Sequence, residues 1–86
     1  MEAEERQTLR NLVYKEMCGL IGQDVDESGC RVLQSAMFSA KTTITNPNER
    51  VVFVQDLAAS LNRKKMLPHD KYNRFIELGK AYLEGL

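Results

Sequence analysis

Asn46-Pro47-Asn48-Glu49-Arg50-Val51-Val52-Phe53-Val54 is the stretch on which the fold turns. Asn46 reads as a helix N-cap, Pro47 as the first helical residue, and Glu49 as an acid in the first turn, where the helix dipole favours negative charge. Val51, Val54, Ala58 and Leu61 then recur at helical spacing, with Phe53 and Leu57 beside them, and predict a helix to about Asn62. The same residues admit a hairpin, with Thr42-Thr43-Ile44-Thr45 paired to Val51-Val52-Phe53-Val54 across the Asn-Pro turn. The β-branched content favours that pairing locally. A lone two-stranded hairpin is marginal in water, and Gln55–Leu61 continues the helical pattern, so the helix is preferred.

The flanks agree with an all-α chain. Leu9, Leu12, Val13, Met17, Leu20 and Ile21 form a stripe that predicts a first helix from Glu2 to Ile21, with an acidic first turn and Gly22 just past its end. Leu33, Ala36, Met37 and Ala40 predict a second helix from Ser28 to Ala40. Tyr72, Phe75, Ile76, Gly79, Tyr82, Leu83 and Leu86 predict a last one that begins near Pro68-His69-Asp70. Short connections make a compact bundle of about four helices the economical architecture, as one domain over residues 1–86. The expected core is Leu12, Val13, Met17, Leu20, Leu33, Met37, Leu57, Leu61, Phe75, Ile76 and Leu83.

Composition bounds the function. The 86 residues carry 12 Lys+Arg and 12 Asp+Glu, and 43% are hydrophobic, an ordinary globular balance. No apolar run has membrane-spanning length, and the acidic start Met1-Glu2-Ala3-Glu4-Glu5 is unlike a signal peptide. These features predict an intracellular, cytoplasmic chain that does not enter membranes. A chain this short buries roughly 60% of its unfolded surface, enough for one modest core without an elaborate active site.

Motifs for chemistry are sparse. Asp24-Val25-Asp26-Glu27-Ser28-Gly29 imitates the start of a calcium-binding EF-hand loop, but its twelfth position is Ser35, where a bidentate Glu is needed. The acids read instead as a capping turn. Cys18, Cys30 and His69 do not make a four-ligand zinc site, and without a secretory signal the cysteines read as free, partly buried thiols. No orienting group or oxyanion turn accompanies a Cys–His pair, so no catalytic, metal or cofactor residue is expected. Residues 1–27 hold seven acids and three bases, residues 60–86 six bases and three acids. That asymmetry suits either helices that face each other or surface patches that select partners.

Arg63, Lys64, Lys65, Lys71 and Arg74 form the one candidate nucleic-acid patch. Asp56–Asn62 looks like the first half of a helix-turn-helix, with Ala58 at the small position, but Pro68 stands where an aliphatic anchor belongs and the connection is too long. Leu61-Asn62-Arg63-Lys64-Lys65-Met66-Leu67, followed by an amphipathic helix, resembles the later helices of death effector domains, which are helical adaptor modules. The likeness covers Leu57–Leu83, about a third of the chain, and lacks that family's final Arg-x-Asp-Leu element. It is not taken as membership.

Tyr14, Cys18, Phe38 and Val52 fall outside the stripes and exceed what one core can take, which points to surfaces that bind. The reading is a small non-catalytic interaction or regulatory module that binds another protein, with Arg63, Lys64, Lys65, Lys71, Arg74 and Tyr82 as candidate contacts. The alternative is a nucleic-acid-binding regulator that uses Arg63–Arg74. A homodimer is also expected. It would close over Met17, Leu20, Tyr82, Leu83 or Leu86 at projecting helix ends, with Glu4 and Glu5 near Lys71, Arg74 or Lys80 of the second copy.

Overall fold

Asn46 settles the ambiguous stretch. Its side-chain oxygen accepts from the backbone N–H of Asn48 at 2.8 Å and of Glu49 at 3.4 Å, which satisfies two donors that the helix cannot pair internally. The chain is seen here in a computed structural model that describes residues 2–24 and 27–84. Its helices are α1 (Glu2–Leu20), α2 (Ser28–Thr43), α3 (Pro47–Arg63) and α4 (Tyr72–Leu83), with a short 3-10 turn at His69–Lys71 before α4. No strand occurs among the described residues, and the fold is a small all-α bundle. The β-branched Thr42 and Thr43 extend α2 rather than pairing as a strand. Their hydroxyls donate back to the Ser39 carbonyl, at 3.0 and 2.7 Å.

α4 packs against each of the other three helices, so its broad apolar face becomes the centre of the core. Phe75, Leu78, Gly79, Tyr82 and Leu83 are all buried there. Gly79 lets α3 come close: a Cβ at that position would lie 2.6 Å from a Val54 methyl. The radius of gyration, 12.2 Å, matches the roughly 12 Å of a compact chain of this length.

The buried face of α1 is rotated from the expected stripe. Tyr14, Met17, Cys18 and Ile21 face inward, at i, i+3, i+4 and i+7, whereas Leu12 is 59% exposed. Val13, Leu20, Leu57, Leu61 and Ile76 sit half-buried at the edge of the core, and Met17, Leu33, Met37, Phe75 and Leu83 are buried as expected. Two links set the rotation. Cys18 and Cys30 are joined in a disulfide, with their Cα atoms 5.5 Å apart and both residues fully buried. The Tyr14 hydroxyl donates to the Cys30 carbonyl at 2.7 Å. The free-thiol expectation is therefore wrong: α2 packs against α1 with Cys30 beside Cys18, and the two sulfurs are joined.

The patch expected to drive dimerisation is also corrected. Met17, Tyr82 and Leu83 are buried within one chain, because α4 is short and central rather than long and projecting. Leu86 lies outside the described residues. Removal of the chain after Gly79 would strip two core side chains, so it would unfold the monomer rather than loosen a dimer. Arg74 pairs with Glu16 of its own chain.

Candidate functional site

The basic connection follows from how α3 ends. Lys64 N–H bonds the Ser60 carbonyl, Lys65 takes a left-handed backbone (φ 62°), and Met66 and Leu67 N–H both return to the Leu61 carbonyl. Asn62 donates its side-chain amide to the Leu67 carbonyl at 2.9 Å, and Leu67 is buried beneath. Arg63, Lys64, Lys65 and Lys71 are left exposed around this loop. Arg74 is not free: its Nε donates to Glu16 Oε2 at 2.6 Å, and its Nη1 lies 3.5 Å from Glu77. The Glu16 hydrogen bond and charge hold its pKa above the usual arginine value.

Tyr82 lies elsewhere, toward the other end of α4 and on the order of 12 Å along the helix from Arg74. The six expected contact residues therefore do not form one surface. Tyr82 is 8% exposed and helps line a cleft of about 650 Å³ between α1 and α2, within the usual range for ligand sites. Gln7, Arg10, Asn11 and Tyr14 come from α1; Arg31, Gln34, Ser35, Phe38, Lys41 and Thr42 come from α2. Helical spacing explains both walls, since residues at i, i+3, i+4 and i+7 share a face. Phe38 is 61% exposed at this cleft.

The cleft carries positive charge and its lining holds no carboxylate. Arg10 donates to Gln7 at 2.8 Å, and neither Arg10, Arg31 nor Lys41 has an ion pair among the described residues. Lys41 Nζ donates to the Tyr82 carbonyl at 3.4 Å and sits 5.9 Å from the Tyr82 ring centre, a cation–π geometry. Burial, then the charges of Arg10 and Arg50, lowers its pKa below the usual lysine value. Burial and the nearby Tyr82 raise that of Tyr14, against a smaller opposing effect of Arg31. Of this cleft, the sequence named Tyr82 as a contact and Tyr14 and Phe38 as apolar residues outside the stripes, but none of the polar lining. The signal it passed over was the alternation of bases and amides on one face of two consecutive helices.

The other motifs resolve locally. Ser28–Ser35, which would supply positions five to twelve of a calcium loop, are the first turns of α2, so the chain cannot wrap an ion there. Asp24 is exposed, and Asp26 lies outside the described residues. The helix-turn-helix reading meets a connection from Lys64 to Lys71, far longer than the three or four residues of that turn. No helix among the described residues is long and apolar enough to cross a membrane. Comparison with protein-family models, with curated proteins and with solved structures finds no match. The geometry has to carry the functional reading.

Proposed function

We propose that this chain is a small non-catalytic interaction module that acts by binding another protein, in the manner of a regulatory or adaptor domain. The α1–α2 cleft carries the reading: an open groove with Phe38 exposed at it and side-chain amides on both walls. Grooves of this kind take an apolar anchor, while flanking polar groups set register. Leu9, Leu12, Val32 and Val52 are further exposed apolar side chains, and Leu9 and Leu12 give a homodimer the surface it would have to cover.

Selection from a displayed random-peptide library, followed by amide chemical-shift mapping, tests the reading. Selected peptides should shift Gln34, Phe38 and Thr42. Selection of nothing, or shifts confined to Arg63–Lys71, would overturn it.

The second reading, a nucleic-acid-binding regulator, is favoured by the exposed Arg63, Lys64, Lys65 and Lys71. Salt-sensitive binding of generic duplex DNA, lost on removal of those charges, would support it over the first. A cytoplasmic location pulls against the Cys18–Cys30 bond, because cytosolic thiol pools reduce accessible disulfides. In that compartment the bond would rely on complete burial of both residues. Alkylation of thiols in intact cells before lysis decides between a bonded and a reduced pair.

A further inference from the structure

The cleft's charge narrows what it can hold. Three cations, Arg10, Arg31 and Lys41, line one groove whose described residues include no acid, in a chain whose formal net charge is zero. None of the three is ion-paired among the described residues, so positive charge is concentrated on this groove. We propose that the α1–α2 cleft binds an acidic peptide segment of a partner protein, with carboxylates on Arg10, Arg31 and Lys41 and an apolar side chain against Phe38. The inference rests on the interaction-module reading and adds the chemistry of the partner.

Two observations favour a peptide over a nucleic acid. The chain's other basic cluster, Arg63–Lys71, lies at the start of α4, whereas the groove lies by Tyr82 toward its end, so the two clusters do not share one surface for a phosphate backbone. Gln7 and Asn11 on the α1 wall and Gln34 on the α2 wall line the groove, and side-chain amides donate and accept, as a peptide bond requires. Lys41 adds an internal reporter. Its ammonium is disfavoured by burial and by Arg10 and Arg50, with Tyr82 the aromatic group against it, and a carboxylate beside it would reverse that direction.

The test uses the full chain, isotope-labelled, and an amidated peptide in which glutamates flank a central Leu-Phe pair. A second peptide carries glutamine at every glutamate, and a short single-stranded DNA is the third probe. The acidic peptide should shift the amides of Gln34, Phe38 and Thr42 and raise the Lys41 pKa. Affinity should fall about tenfold or more for the glutamine peptide, and likewise for the R10Q/R31Q variant. The rise in Lys41 pKa is read on the unsubstituted protein, so the proposal stays testable if that variant folds poorly.

Equal binding of the glutamine peptide at the same amides overturns the charge assignment and leaves the module reading intact. Failure of both peptides to shift the cleft overturns both. Binding of the DNA there, with no peptide binding, overturns the peptide in favour of a nucleic acid.

Discussion

Reduction of the Cys18–Cys30 bond should lower stability by an amount that the chain topology sets. The bonded residues are twelve positions apart, so the bond closes a short loop in the unfolded chain. Loop-closure entropy for about 13 residues corresponds to ~3 kcal/mol at 25 °C. That is a large share of the ~5–15 kcal/mol a domain usually has. With ~4–8 °C of melting temperature per kcal/mol at this size, the reduced protein should melt roughly 12–24 °C lower. Both residues are fully buried, so reduction should be carried out in denaturant, the protein refolded with the reductant present, and thiols counted before the melt.

The effect resides in the unfolded ensemble. Native amide spectra should therefore change only near the bond, while the denaturant m-value rises as the released chain expands. A fully reduced monomer that melts within a few degrees of the oxidised one would refute the loop-closure reasoning.

Three further outcomes follow from packing and titration. Gly79→Ala should destabilise, because overpacking against Val54, about 1–3 kcal/mol, outweighs the roughly 1 kcal/mol gain in helix propensity, and Val54→Ala should restore tolerance in the double variant. Urea titration of the four-protein cycle measures it, and additive losses would contradict the contact. Leu33→Ala should cost ~2–5 kcal/mol whereas Leu12→Ala stays within ~0.5 kcal/mol, which chemical denaturation distinguishes directly. Tyr14 has a folded pKa above its unfolded value of 10.0, so its contribution is complete below pH 10 and is lost as pH rises from there through the folded value. Tyr14→Phe should flatten that alkaline decline while weakening the protein at neutral pH by ~0.5–1.5 kcal/mol for the lost bond to Cys30. An unchanged decline would move the titration to another group. Lys41, lowered from 10.5, acts in the opposite sense, since stability grows as pH rises past its folded value, so the two are separated by single variants.

The helices were legible because their boundaries are local chemistry. Asn46-Pro47 at the start of α3 and Gly22, with φ 70°, just after α1 each act within a few residues. The inward face of α1 was not legible. Leu9 and Leu12 extend the aliphatic stripe of Val13, Met17 and Leu20, but the helix turns away from them because Tyr14 and Cys18 are tied to α2. That tie depends on how α2 packs back against α1, which periodicity does not encode. Leu67 and Leu78 escaped for a related reason: one is buried by the Asn62 loop, and the other only because α4 is covered on several sides. The cleft was hidden because most of its residues are polar on both helices, and polar residues on one face ordinarily mean solvent.

The two walls of that cleft differ in how firmly the fold holds them. On α2, the buried Cys30, Leu33, Met37 and Ala40 run the length of the helix and clamp it to the core. On α1, residues 3–12 contain no buried side chain; Tyr14 is the first anchor. A helical segment without tertiary cover is only marginally stable, since its hydrogen bonds rest on local propensity alone. Amide exchange should therefore be fast through Gln7, Arg10 and Asn11 and slow through Gln34 and Phe38. One wall is anchored along its whole length and the other only at one end, so occupancy of the groove would register as protection spreading toward the N-terminus, a change in order with little change in shape.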